Sequence, residues 1–178
     1  MGEALVIAQR ALSSGDVPVG AIVVNADGVV LGTGFNEREA HSDPTAHAEI
    51  VAIRNAATRL QKSRLDGCTL IVTLEPCAMC AGAIAQSRIS HLVFGAWDDK
   101  AGAVGSVWDV LRDPRSIFKV EVTSGIRENE CAQLLKDFFS DKEFIRRIQY
   151  SERSFFFADH SFCTNLRSNF KPCDIAST

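Results

Sequence analysis

Two short stretches hold the residues whose types and spacing could do chemistry: Thr45-Ala46-His47-Ala48-Glu49 and Thr73-Leu74-Glu75-Pro76-Cys77-Ala78-Met79-Cys80. An imidazole and two thiols in Cys-x-x-Cys spacing are donors that zinc takes. Three protein ligands with a fourth position left for water mark a catalytic rather than a structural zinc site. His47, Cys77 and Cys80 supply that count, and the motifs contain no fourth Cys or His. Residues three apart on a helix share a face, so Cys77 and Cys80 can grip one ion, and a helix N-terminus favours both thiolates. Glu49 follows His47 by two residues and does not share its face, so it reads as a proton carrier beside the metal instead of a fourth ligand. Zinc brings the pKa of water to about 7, so a neighbouring carboxylate suffices to take its proton. The chemistry that fits is hydrolytic: a metal-activated water attacking an electrophilic carbon, with Glu49 moving the protons.

The elements that position these residues are legible as periodicities. Apolar residues at helical spacing predict a first helix over Glu3–Ser14, stopped by Gly15. Ala21-Ile22-Val23-Val24 and Val29–Gly34 read as strands joined at the turn Asn25-Ala26-Asp27-Gly28. Asn36 then lies at a strand end, and the polar stretch Glu37–Asp43 reads as irregular. Thr45 to about Lys62 predicts a helix with His47 and Glu49 in its first turn. Cys68–Leu74 reads as a buried strand, and Pro76 as the first residue of a helix ending near Arg88, with both motif cysteines in its opening turn. His91–Phe94 is a fourth strand, 96–105 a surface loop, Ser106–Leu111 a short helix, Lys119–Thr123 a fifth strand and Glu128–Arg147 a long last helix. The alternation implies a three-layer α/β/α domain with a central mixed five-stranded sheet, mixed because its first two strands form a hairpin.

A chain of 178 residues, 46% hydrophobic, has material for one core, taken as a domain over 1–150. Residues 151–178, with Phe155-Phe156-Phe157, follow neither period and are expected to be a docked or poorly ordered tail. A net charge of −3 means that nucleic acid would have to be met by a local basic patch; Arg38, Lys100, Arg112, Arg115, Lys119, Arg146 and Arg147 are candidates. No apolar run reaches the roughly 20 residues of a membrane helix, and the N-terminus lacks a signal-peptide pattern, so the expected home is cytoplasmic, with no membrane partner. His41 and His91 read as surface or packing histidines, Cys68 and Cys131 as buried small apolar residues, and Met79 as packing; Cys163 and Cys173 have no assignable partner. Asn36 suits either a turn cap or a contact to a base at the mouth of the site. Asp98 and Asp99 with Trp97 suit either a solvated loop or a substrate contact.

The paired motifs resemble the zinc deaminase signature H-x-E…P-C-x-x-C. A narrower resemblance runs from about Glu3 to Phe139. It adds Asp16-Val17-Pro18-Val19-Gly20-Ala21, Ser87-Arg88-Ile89, Val93-Phe94-Gly95-Ala96 and Lys100-Ala101-Gly102-Ala103-Val104-Gly105-Ser106. On these residues the chain resembles the bacterial tRNA-specific adenosine deaminases. The resemblance implies conversion of the wobble adenosine of a tRNA anticodon loop, chiefly of an arginine tRNA, to inosine by a homodimer with one Zn2+ in each subunit. It implies that Asn36 meets the imidazole side of the base, the backbone of Ala48 the reacting carbon's substituent, Glu49 the ring nitrogen, and Asp98 and Asp99 the anticodon nucleotides. An anticodon loop, single-stranded and able to splay its bases, suits a site that must surround one base. Two departures stand out: Asp137-Phe138-Phe139 is followed by Ser140-Asp141-Lys142-Glu143 where relatives carry a basic cluster, and Ser116-Ile117-Phe118 replaces a more polar stretch. The competing readings are a deaminase of a free base or nucleotide such as guanine, cytosine or deoxycytidylate, and an inactive tRNA-binding zinc subunit.

Overall fold

The computed structural model describes residues 1–140. The expected domain end at 150, the 151–178 tail, Arg146, Arg147, Cys163 and Cys173 lie outside the described residues. β1 (Gly20–Val24) and β2 (Val30–Phe35) form the expected hairpin, with Gly28 at φ 77° and the Asn25 side chain accepting the N–H groups of Asp27 and Val29. β3 (Thr69–Leu74), β4 (His91–Ala96) and β5 (Glu121–Thr123) complete one sheet in the order β2-β1-β3-β4-β5. The β1–β2 and β1–β3 pairs are antiparallel, and β3–β4 and β4–β5 are parallel, which is the mixed sheet expected.

Helices cover both faces. Gly20 pairs with Phe35 and Gly34 with Ala21, so the two glycines point to opposite sides of the hairpin. A Cβ at Gly20 would meet the backbone of α1 (Gly2–Ala8), and one at Gly34 the backbone of α3 (Ala48–Leu60), following the short α2 (Arg38–His41). α4 (Ala78–Gln86) packs beside α3. The last described helix, α5 (128–140), joins α1 on the other face, where Cys131 Sγ lies 3.7 Å from Met1 Sδ. Leu70, Val72, Ile84, Leu92 and Phe94 are fully buried between the layers.

Several expected boundaries shift, each for a local reason. The first helix gives way to a 3-10 segment at Gln9–Ser14 before Gly15, so Ala4, Ile7, Ala8 and Ala11 are buried while Val6 and Leu12 are exposed. The irregular stretch after Asn36 contains the single turn α2, whose N-terminus is satisfied from a distance: Asp16 accepts the N–H groups of Glu39 and Ala40. Ser106–Leu111 is not helical; Gly105 sits at φ 138° and the chain folds back through Val104–Asp109 pairing. Helical spacing puts Cys131, Leu134, Leu135, Phe138 and Phe139 on one face of the last helix, but in α5 Phe138 is buried and Phe139 is exposed, so that face is narrower by one aromatic. The apolar substitution at 116–118 has a partner, since the Arg88 guanidinium lies 4.7 Å from the centroid of the Phe118 ring.

Candidate active site

The site forms where β3 and β4 end and two helices begin. His47 and Cys77 are not inside their helices, as the sequence suggested, but stand at the N-cap positions of α3 and α4, both with extended backbone (ψ 153° and 174°). Neither spends its side chain on capping its own helix. That leaves the imidazole and the thiol free to turn toward each other, with Cys80 three residues further on joining them. His47 Nδ1 lies 3.7 Å from Cys77 Sγ and 3.5 Å from Cys80 Sγ, and the three donor atoms all fall within 4.8 Å of one another. Among the described residues these are the only three His, Cys or acidic side chains so clustered.

The electrostatics of the trio suit a divalent cation. The Cys80 thiol, as hydrogen-bond partner, holds Cys77 down at about 3 against the opposing effect of burial, and His47 adds to the lowering. Cys80 is pushed up by that same partnership with Cys77 and then by burial. His47 is raised, chiefly by its hydrogen bond to Cys77. Two sulfurs compete for one proton at two positive helix ends, and a soft divalent ion relieves that competition. Two thiolate sulfurs and one imidazole nitrogen, with a coordination position to spare, fit a catalytic zinc.

Glu49 is 4% exposed, one residue inside α3, and is not a member of the donor cluster. Burial pushes its carboxyl up to about 7, opposed by its own backbone N–H and by His47. A carboxyl poised near neutrality beside a metal site is suited to carrying a proton both ways.

Asn36 is buried, and its side chain is already committed: Oδ1 accepts the Ala48 N–H at 2.9 Å and Nδ2 donates to the Val17 carbonyl at 3.0 Å. It caps α3 in place of His47 and so fixes the angle at which His47 and Glu49 enter the site. The two expected base contacts, Asn36 and the backbone of Ala48, thus meet each other. Asp98 is half-buried and folds its loop by accepting the N–H groups of Lys100 and Ala101, while Asp99 is exposed at the tip. Of the basic candidates, Arg112 pairs with Asp109 and Arg115 with Asp113, whereas Arg38 and Lys100 are exposed. His41 is exposed, and His91 Nε2 meets Thr123 Oγ1 at 2.9 Å between β4 and β5.

Glu75 and Asp16 lie within the quoted motifs, but the motifs assign neither a role. Each is an acid in an apolar or tight-turn setting, which is the signal that could have found them: Glu75 ends a buried strand and Asp16 follows a helix-stopping glycine. Both are buried and accept backbone N–H groups from distant segments.

Residues 1–96 match the family described as the cytidine and deoxycytidylate deaminase zinc-binding region. A tRNA-specific adenosine deaminase from Haemophilus influenzae is 48% identical over 149 residues, which is 84% of this chain and 86% of that protein. The chain belongs to the tRNA-specific adenosine deaminase family. A structure solved in work on A-to-I editing by tRNA:A34 deaminases at the wobble position of transfer RNA superposes on this deaminase with a TM-score of 0.71. It is 45% identical, and the match covers 74% of this chain and 95% of that one. A guanine deaminase from Nitrosomonas europaea is more distant, with a TM-score of 0.65 and 26% identity over 77% of this chain and 81% of that one. The deaminase is therefore a zinc enzyme in which His47, Cys77 and Cys80 are the group able to take the ion.

Proposed function

We propose that this chain hydrolyses the wobble adenosine of a tRNA anticodon loop to inosine and ammonia, with His47, Cys77 and Cys80 holding one zinc per subunit and Glu49 carrying the protons. The observation that supports it most directly is the buried Glu49 beside a three-donor trio, in a chain 48% identical to a tRNA-specific adenosine deaminase. When bound, zinc supplies Lewis-acid activation of water near neutral pH. Glu49 takes a proton from the attacking water, delivers it to the ring nitrogen and then serves the departing amine, so adenosine and water become inosine and ammonia. Asn36 meets the imidazole side of the base, the Ala48 backbone lies near the reacting carbon's substituent, and Asp98 and Asp99 contact neighbouring anticodon nucleotides. Holding Asn36 by two hydrogen bonds preorganises it for that contact.

The acting form is a homodimer that meets an anticodon stem-loop in the cytoplasm. Val107, Trp108 and Val110, exposed side by side on the loop after β4, supply apolar surface for the subunit contact. No described helix is long and apolar enough to cross a membrane. The test is ammonia release from an anticodon stem-loop with a wobble adenosine, set against free adenosine, guanine and cytidine. Release from the stem-loop is expected; turnover of free compounds alone would overturn the reading in favour of a free-base deaminase.

A further inference from the structure

Glu75 is 2% exposed and faces no basic side chain in any described ion pair. Its carboxylate is instead filled by backbone. Oε1 accepts the N–H of Val104 at 2.9 Å and of Ser106 at 3.1 Å, and Oε2 accepts that of Asp98 at 3.1 Å. The contacts reach both ends of the loop that follows β4, since Asp98 lies at its start and Ser106 at its return. Main-chain bonds reinforce the same junction: Glu75 N–H donates to Ala96 at 2.8 Å, Ala103 N–H donates to Pro76 at 2.8 Å, and Cys77 pairs with Gly102. The packing leaves no slack, because a Cβ at Gly102 would collide with the Glu75 carboxylate. The root of the loop, Gly102 to Val104, is buried, while Asp99, Lys100 and Ala101 at its tip are exposed.

We propose that Glu75 is a positioning residue that clamps the 98–106 loop onto the Pro76–Cys77 turn and so sets the distance between the metal-binding group and the loop that meets the substrate. Glu75 stands two residues before Cys77, so one rigid unit carries a metal donor at one end and Asp98 at the other. A carboxylate is the side chain suited to this task, because it alone offers acceptors to several N–H groups without bringing a donor of its own. A glutamine keeps the shape but turns an NH2 toward one or more of those N–H groups, which leaves at least one of the three donors without its acceptor. The role in substrate placement rests on the tRNA reading above; the clamp itself rests on the geometry alone.

The experiment separates the two. Trp97 packs edge-on against Phe94 at 4.8 Å and lies against Gly105 at the return of this loop, so with the exposed Trp108 replaced throughout (Trp108→Phe), acrylamide quenching of the remaining tryptophan reports loop closure with no substrate present. In the zinc-loaded enzyme, Glu75→Gln is expected to raise quenching about twofold through local opening. It should also raise KM for the anticodon stem-loop about tenfold while kcat stays within about threefold and zinc remains at one per chain. Ser106→Ala removes an exposed hydroxyl that donates to the Asp98 carbonyl at 2.8 Å across the loop, and is expected to move both readouts the same way by a smaller factor. Wild-type quenching and KM in Glu75→Gln overturn the proposal, as does loss of zinc or collapse of kcat with KM unchanged. If Glu75→Gln fails to fold, unchanged quenching and KM in Ser106→Ala overturn it instead. A wild-type enzyme that ignores the stem-loop sinks the tRNA reading, and the quenching comparison still decides the clamp.

Discussion

Glu49 and Asp16 are both buried acids, yet they sit on opposite sides of their ordinary titration ranges, and the difference lies in how many donors each finds. Burial dominates at Glu49 and carries it up to about 7. At Asp16 burial pushes up as well, but the N–H groups of Glu39 and Ala40 and the Ser14 hydroxyl outweigh it and leave the carboxyl below 3.8. The first arrangement suits a group that must exchange protons, and the second suits one that holds the chain. Glu49→Ala should therefore retain one zinc per chain and the wild-type circular dichroism spectrum while lowering kcat by about 10²–10⁴-fold or more, the usual worth of positioned acid–base catalysis. Survival of activity would remove Glu49 from the mechanism. Asp16, with its folded pKa depressed, contributes stability at pH above its unfolded value near 3.8, and that contribution is lost as pH falls through the folded value. Asp16→Asn should cost about 1–3 kcal/mol at pH 7 by urea titration, because the new amide faces N–H groups it cannot accept on both atoms. The cost should shrink as acid neutralises the wild-type carboxyl; a pH-independent difference would contradict the assignment.

At the scale of elements, the strands and the β1–β2 hairpin were legible because β-branched runs such as Ala21–Val24 and Thr69–Leu74 carry their own period, and Asn25 to Gly28 carries its own turn chemistry; the order of the remaining strands was not, because it is set by contacts distant in sequence. The donors and Glu49 were legible because metal chemistry restricts both residue type and spacing. What escaped was governed by contacts distant in sequence. His47 read as helical because local propensity does not reveal that Asn36, just past β2, caps α3; Cys77 read as helical because its extended backbone, one residue before α4, carries no signal in the residue types. Val107, Val110 and Leu111 mimic a helical spacing, but Gly105 and the Arg112 bond to the Val104 carbonyl at 3.0 Å turn the segment back on itself. The seating of α3 depends on a contact of the same hidden kind. Ala48, Ala52 and Ala56 ride directly on Gly32 and Gly34, and a Cβ at Gly34 would collide with the Ala48 carbonyl oxygen and the Ala52 nitrogen. Gly34→Ala must push the first turn of α3 off the sheet. It should destabilise by about 2 kcal/mol or more and, because His47 precedes that turn, weaken zinc binding in a competitive chelator titration. A destabilised variant with wild-type zinc affinity would mean that His47 is held independently of α3.

For the described unit as a whole, Met1–Ser140, the metal-binding group is a long-range staple. His47 enters from α3 and is 30 residues before Cys77 on α4, and the β3 strand lies between them in sequence. Protein contacts hold the segments that carry or flank the donors: the sheet register, the Asn36 cap and the Glu75 clamp each fix one of them. The ion binds only the folded arrangement, so it must add to the stability of that arrangement. With free zinc at about 100 times its Kd, that addition is about 2.7 kcal/mol. Chelation should accordingly lower Tm by several degrees while leaving a cooperative unfolding transition and a native-like circular dichroism spectrum, and should abolish deamination until zinc is restored. It should also open Cys77, half-buried and held as thiolate at about 3, to alkylation ahead of the fully buried Cys80. Unfolding on chelation would mean that the folded state requires the metal, and an unchanged Tm would mean that the donors are not where the ion binds.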